Sequence, residues 1–295
     1  MSERFKTLLQ REWIQHHRGW LVVTTLPPLI ALVLLLMPFS TVDVGPMPAL
    51  GVFLFATVAV TTVVVGIAGA AAVFLAPGVA RRDYQDRSIE FWLSLPTGHG
   101  ASIAATLLMH LLFVPLLALA IGAIASQVIA LVVVARVFGA SSWAHLPWNS
   151  LFMADLAGLA RAALGIVLAT FWVSPIVLAL MAASAWLQRW GVAVLALTVS
   201  VGHGLLRWLY GITIIDDVLQ GLVKNAGRAL IHHVDNRSGP VDDAEVLSWI
   251  VGIPNWLFHD GLAAIGDLFR PLAIVALAIS AGCFALLVLR RRRSG

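Results

Sequence analysis

A chain of 295 residues with 60% hydrophobic side chains, 12% charged side chains and a mean hydropathy of +0.93 is not a soluble globular domain. Soluble domains carry about a quarter charged residues, whereas here apolar runs of the roughly 20 residues needed to cross a bilayer recur along the chain. The alternating segments of about 10 residues that build a membrane β-barrel are absent, so the fold class expected is an all-α integral membrane protein. The basic balance, 19 Lys and Arg against 15 Asp and Glu, clusters at the ends of apolar runs and reads as membrane orientation, with no nucleic-acid partner.

Residues 1–19 precede the first span and place Phe5, Leu8, Leu9, Glu12 and Trp13 on one helical stripe, with Arg4, Lys6, Arg11 and Arg18 mostly off it. That pattern predicts an amphipathic helix lying in the interface plane; the alternative is a solvated basic leader. The long charged leader and the lack of a small-x-small site after the apolar run argue against a cleaved signal peptide. A first span is expected over 20–39, with Pro27 and Pro28 loosening its first turns. A turn-rich loop from Ser40 leads to a second span over 50–77, whose Gly66, Ala68, Gly69, Ala70, Ala71 and Ala72 offer a small-residue face for a neighbouring helix. Thr57 and Thr61 add a weak polar stripe to it.

Arg81 to Gly100 forms a short charged island, RRDYQDRSIEFWLSLPTGHG, between two long apolar runs. The next run, 101–137, exceeds one bilayer crossing and reads either as a single tilted helix that protrudes or as a helix broken near Pro115 or Gly122. Phe138 to Leu156 is expected to be a loop, with Trp143 and Trp148 placed as an interfacial belt. A fourth span over 157–187 carries Ser174-Pro175, a kink signal. Gln188 to Gly191 is a tight turn into a fifth span over 191–211. The segment 212–270 is polar: its first half repeats apolar residues with helical period, a turn follows from Asp235, and a second helix from Asp242 or Asp243 is expected to end or bend at Pro254. A sixth span over 271–289 stops at Arg290–Arg293, and the single Cys283 inside it forms no intrachain disulfide. With six spans and both termini in the cytoplasm, twelve of the 19 basic residues and five of the 15 acids fall inside, which satisfies the positive-inside rule. A re-entrant pair within 212–270, or five spans, are the alternative layouts.

Chemistry is sparse. The only lysines, Lys6 and Lys224, lie outside any G-x-x-x-x-G-K-[ST] context, so this chain builds no P-loop. H-E-x-x-H and G-x-S-x-G are absent too, so no enzymatic activity and no catalytic residues, bound cofactor or metal are expected. His232, His233 and Asp235 offer three metal-ligand types in four residues without a second cluster, for which a solvated turn is the stronger reading. His110 reads as a hydrogen-bonded packing residue. Arg136, Arg161 and Arg207 lie near the outer ends of apolar runs, where snorkelling to lipid phosphates accounts for them. The functional alternative puts His203 and Arg207, one turn apart, on a substrate path with Thr57 and Thr61, favouring an anionic or amphipathic cargo.

In the island, Arg81, Arg82, Asp83, Asp86, Arg87 and Glu90 are followed by an apolar face of Ile89, Trp92, Leu93 and Leu95, closed by Pro96. This is either an ordinary cytoplasmic loop or a short amphipathic helix made to lie in a partner's groove. The run Asp86-Arg87-Ser88-Ile89-Glu90-Phe91-Trp92-Leu93-Ser94-Leu95-Pro96 resembles the signature of ABC-2 type permeases, which reads roughly acidic-x-x-[ST]-hydrophobic-Glu-x-Leu-Leu-x-x-Pro after the second span. Ser88, Glu90, Leu93 and Pro96 match as they stand, and Trp92 takes a usual Leu site. The resemblance extends in outline over the whole chain. It implies a permease subunit of a bacterial inner-membrane exporter, paired with a second permease copy or homologue. Two ATPase subunits holding ATP and Mg would dock on Asp86, Arg87, Ser88, Glu90, Trp92, Leu93, Leu95 and Pro96. Alternating access powered by those subunits would then move an amphipathic or hydrophobic substrate. The competing classes are a partner-independent secondary transporter, which calls for acids within spans, an intramembrane enzyme, and a structural or assembly subunit.

Overall fold

The computed structural model describes residues 3–37, 44, 45, 47–85, 98–233 and 243–294, and among these every regular element is helical. Five stretches are long and apolar enough to cross a membrane: Glu3–Leu36, Ala49–Ala80, His99–Phe138, Trp148–Tyr210 and Pro271–Arg293. The protein is therefore an all-helical, multi-pass membrane protein. The sequence pattern led to six spans; five stand because Trp148–Tyr210 is one 63-residue apolar stretch. The turn Gln188–Trp190 divides that stretch into helices of 40 and 20 residues.

In chain order the helices are α1 (Glu3–Leu36), α2 (Ala49–Gln85), α3 (His99–Phe138), α4 (Trp148–Leu187), α5 (Gly191–Tyr210), α6 (Ile214–Leu230), α7 (Asp243–Gly266) and α8 (Pro271–Ser294). α1 runs without a break through Gly19 and through Pro27-Pro28, so residues 1–19 do not form a separate helix ahead of the first span. Of the stripe expected to meet lipid, Leu8 and Glu12 are buried and Phe5, Leu9 and Trp13 are half-buried. α7 likewise continues past Pro254. A proline removes one helical donor, and neighbouring helices can hold the ladder in place around it.

Two prolines show how. α3 is continuous, with one π turn at Met109–Phe113 immediately before Pro115. Pro115 cannot donate to the carbonyl of Leu111, and Thr170 Oγ1 of α4 lies 2.8 Å from that oxygen. Thr170 lies equally close to its own Ile166 carbonyl, so one hydroxyl proton serves both helices. In α4, Pro175 strands the carbonyl of Phe171, and the Ser174 hydroxyl donates to it at 2.8 Å while meeting Ser280 Oγ of α8 at 3.0 Å. The 40-residue α3 is about 60 Å long at the α-helical rise, so it is a single helix that tilts or protrudes beyond the roughly 30 Å hydrocarbon layer.

α2 and α3 make the most extensive helix pair. The stripe Val64, Ala68, Ala72, Ala76 and Ala80 of α2 is buried at intervals of four. The close approach comes from α3, where a Cβ on Gly122 would stand 3.3 Å from Thr61 Cα and Val64 Cβ. Gly66 and Gly69, expected at the seam, have open space where a Cβ would go. Ala68 and Ala72 join Trp20, Val114 and Ala118 in a core shared by α1, α2 and α3.

One end of the bundle is marked by arginines. Arg290 Nε donates to Ala185 O at 3.3 Å, near the C-terminus of α4, and Arg291 Nη1 reaches His99 O at 3.4 Å. The Arg290 contact caps the C-terminus of α4, where a cation meets both the orphan carbonyls and the dipole. At the opposite end Arg136 donates to Leu35 O and to Met37 O, closing α1 in the same way. α4 begins at Trp148, nine residues before the expected Ala157, because Pro147 and Trp148 form its first turn: Leu151 N donates to Pro147 O at 3.0 Å, and the Trp148 ring packs edge-on to Phe53.

Candidate functional site

α6 is set by its ends. Gly211 takes the left-handed conformation that closes α5 (φ +67°), with Gly211 N donating to Arg207 O at 3.0 Å and Ile212 N to Leu206 O at 3.2 Å. Asp216 and Asp217 stand in the first turn of α6, where the helix dipole favours acids, and Arg228 stands in its last. Its apolar face lays Leu222 and Ala229 against Leu168 and Trp172 of α4 and Ala264 of α7. α4 can take α6 this closely only because residue 165 is glycine: a Cβ there would lie 2.8 Å from Ala229 O and 3.2 Å from Leu230 Cα.

That approach brings Arg161 to the end of α6. It is 5% exposed, and its Nη1 donates to Ala229 O at 2.8 Å, which satisfies a terminal carbonyl. Its Nε and Nη2 meet Asp260 Oδ2 of α7 at 2.9 and 2.7 Å. Arg161 is thus a buried ion-pair partner, hydrogen-bonded to Asp260 through Nε. The expectation that it snorkels to lipid phosphates is corrected: Gly165 and Gly261 leave it a slot between helices. Asp260 is 2% exposed and gathers the turn that follows α6. The backbone N–H of His233 donates to Oδ1 at 2.8 Å and that of His232 at 3.1 Å. Burial pushes the Asp260 carboxyl up, but these two N–H donors and the Arg161 guanidinium together hold it below the ordinary carboxylate value. His233 Nδ1 lies 3.3 Å from Asp260 Oδ1, His232 Nε2 lies 3.3 Å from Asp267 Oδ2, and Arg270 Nε holds Asp267 Oδ1 at 2.9 Å. Three helices and two turns therefore converge on one polar knot.

The sequence groups His232 and His233 with Asp235, which lies outside the described residues; the carboxylates that meet them are Asp260 and Asp267. The available signal was an acid within an otherwise apolar helix, as in WLFHDGLAAIGDLF. Its partner Arg161 is 99 residues away and had no local signature.

The coupling residues Asp86, Arg87, Ser88, Glu90, Trp92, Leu93, Leu95 and Pro96 lie outside the described residues. Their flanks are described: α2 continues through Gln85, and α3 starts at His99 with Gly98 as its cap. The expected substrate-path residues are not brought together. Thr57 is buried, its hydroxyl donating to Phe53 O at 2.9 Å, and Thr61 lies on the α2–α3 seam beside Gly122. Arg207 is exposed and His203 half-buried on α5, where Gly191 is the only buried residue.

A second polar cluster sits between α1 and α3. His110 is buried in the π turn, its Nδ1 2.9 Å from Thr106 O and its ring edge-on to His16 and Trp20 at 5.1 and 5.6 Å. Glu12, 4% exposed, pairs with Arg11 at 2.6 Å and stands 4.0 Å from His16. Asp155, which sequence reading placed in a loop, lies within α4 and accepts from Gln127 Nε2 of α3 at 2.8 Å. Comparison of the chain with models of protein families, with curated proteins and with solved structures found no match.

Proposed function

We propose that the chain is the membrane-spanning permease subunit of an ATP-binding-cassette transporter, exporting an amphipathic or hydrophobic substrate by alternating access that a separate ATPase subunit drives. One observation carries the reading: the segment Asp86–Pro96, with Ser88, Glu90, Leu93 and Pro96 in the spacing of a coupling signature, joins the two helices that pack most extensively on each other. Force applied to that segment would reach α2 and α3 together. Their seam is close-packed around Gly122, and packed interiors transmit displacement rather than absorb it. The chain carries no P-loop, so the energy source sits on another subunit. On this reading Gln188–Trp190 is a cytoplasmic turn between two crossings, which makes six spans with both termini inside, and the functional unit is a permease dimer with two ATPases in the bacterial inner membrane.

A cross-link tests the docking residue by residue. In a Cys283→Ser background, Trp92→Cys is expected to cross-link to a nucleotide-binding subunit in native membranes, and Phe74→Cys, an exposed position within the second candidate span, is not. Equal yields from both positions contradict the reading.

A second reading, a partner-independent secondary transporter, draws on Glu12 and its neighbours His16 and His110, since a buried acid within a candidate span suits ion coupling. It requires transport that persists without ATP and is lost in Glu12→Gln.

A further inference from the structure

The two histidines at the end of α6 are in ring contact, with centroids 4.4 Å apart. His232 Nδ1 lies 3.3 Å from His233 Nδ1 and 3.4 Å from His233 Nε2. His233 Nδ1 lies 3.3 Å from Asp260 Oδ1, and the three side chains offer ligand atoms that all fall within 4.8 Å of one another. In a tetrahedral site with metal–ligand bonds of about 2.0–2.1 Å, neighbouring ligand atoms are about 3.3–3.4 Å apart. The His232–His233 and His233–Asp260 edges have that spacing, and the third edge closes within 4.8 Å.

The surroundings are those of a supported site. A metal-bound imidazole donates its other N–H to a carboxylate or carbonyl, which fixes the tautomer and the ring plane. Ligation through His232 Nδ1 puts the proton on Nε2, and Nε2 faces Asp267 Oδ2 at 3.3 Å. Both of those atoms are buried and neither makes a hydrogen bond among the described residues, so each stands ready for the other once the Nε2 proton is fixed. Asp267 is 2% exposed and is anchored through its other oxygen by Arg270. Asp260 is anchored through both oxygens: Arg161 takes Oδ2, and Oδ1 accepts the backbone N–H groups of His232 and His233 while facing the His233 ring. The His233 side chain is 61% exposed, so the fourth coordination position opens to solvent. Depth agrees. Arg161 stands about seven turns up α4 from the Gln188 turn, roughly 39 Å at the helical rise, beyond a hydrocarbon layer of about 30 Å.

We infer that His232, His233 and Asp260 bind one divalent transition-metal ion of the zinc class, with Asp267 holding His232 from behind and one coordination position open to water or a ligand. Two imidazoles and one carboxylate select for zinc, cobalt, nickel or copper over calcium and magnesium, which take oxygen donors. The ion would pin the end of α6 to α7 and to the start of α8. This inference does not depend on what the protein transports or on what drives it.

The test uses the full chain purified in detergent, stripped with a chelator and titrated with Co²⁺, then with Zn²⁺. One equivalent of Co²⁺ is expected to give the intense visible absorption of a four-coordinate site and to be displaced by one equivalent of Zn²⁺. His233→Ala, at an exposed position that folding does not need, removes the band, whereas His99→Ala, far along the bundle, keeps it. Asp267→Asn weakens binding about 10- to 100-fold, the effect of losing an outer-shell partner. Thermal unfolding of each variant without metal checks that it is folded. Absence of the band in the wild-type protein, or equal Co²⁺ binding by wild type and a folded His233→Ala, overturns the inference.

Discussion

Two seams of this bundle are built on opposite principles. Between α2 and α3 the contact is neutral and close: Val64, Ala68 and Ala72 meet Val114 and Ala118, and Gly122 lets the backbones approach. Between α4, α6 and α7 an ionic knot is added to an apolar face: Arg161, Asp260, His232, His233 and Asp267 tie three helices through side-chain and terminal backbone groups. Lipid supplies no hydrophobic force between helices, so a seam within the bilayer depends on small residues and van der Waals packing. A seam at the bilayer's edge can use charge, provided that each charge is paired. The first seam adjoins the segment proposed to receive force; the second organises a segment that is not itself a span.

The largest blow to that contrast is Arg161→Ala. It leaves Asp260 buried without its counter-charge and is expected to destabilise the α4–α6–α7 seam by about 3–5 kcal/mol, read as lowered thermal stability in detergent. Replacing both partners together, Arg161→Met with Asp260→Leu, is expected to recover much of the loss, because no unpaired charge remains.

Glycine substitutions sharpen the comparison. A Cβ at Gly165 would stand 2.8 Å from Ala229 O, so Gly165→Ala is expected to cost roughly 1–3 kcal/mol and to loosen Arg161 from the end of α6. At Gly122 the nearest atoms stand at 3.3 Å, so Gly122→Ala is expected to cost less, near the lower end of that range, and to spare the ionic seam. Parallel unfolding curves of the two variants check the order.

Thr170→Val is smaller again. It removes the hydroxyl that stands in for the donor Pro115 lacks, at an expected cost of about 1 kcal/mol, with faster hydrogen exchange confined to the turn around Met109–Phe113.

The effect of pH is the smallest and falls on one seam. The Asp260 carboxyl is held below its ordinary value, so the stability it contributes is complete above the unfolded carboxylate value of about 3.9 and is lost as pH falls through the lower folded value. Val64, Ala68, Thr61 and Gly122 carry no titratable group, so acid should loosen α6 and α7 before it separates α2 from α3. Hydrogen exchange measured across that range would show the order.

The apolar layout was legible in the sequence because bilayer thickness demands long apolar runs, and so the helices of α2, α3 and α8 stand near where composition put them. Helix starts were less legible. α4 begins at Trp148 because Pro147 and Trp148 fit a first helical turn, whereas aromatic content alone suggested an interfacial loop. Prolines misled in the same direction: Pro27, Pro28 and Pro254 lie inside continuous helices, where packing overrides a lost donor. The Arg161–Asp260 pair joins positions 99 residues apart, and no local pattern encodes such a partnership. His232 and His233 were visible as metal-ligand types, but their carboxylates come from α7 and the turn after it, which only the fold brings near.

ATP hydrolysis by the purified assembly bears most directly on the proposed function. Tagged full-length chain, extracted gently from its native membranes and placed in lipid nanodiscs, is expected to carry a tightly bound ATPase activity that Glu90→Lys uncouples or removes, while a surface substitution on α5 such as Leu197→Val leaves it intact. A folded wild-type preparation that carries no ATPase activity, or activity unchanged by Glu90→Lys, contradicts the account.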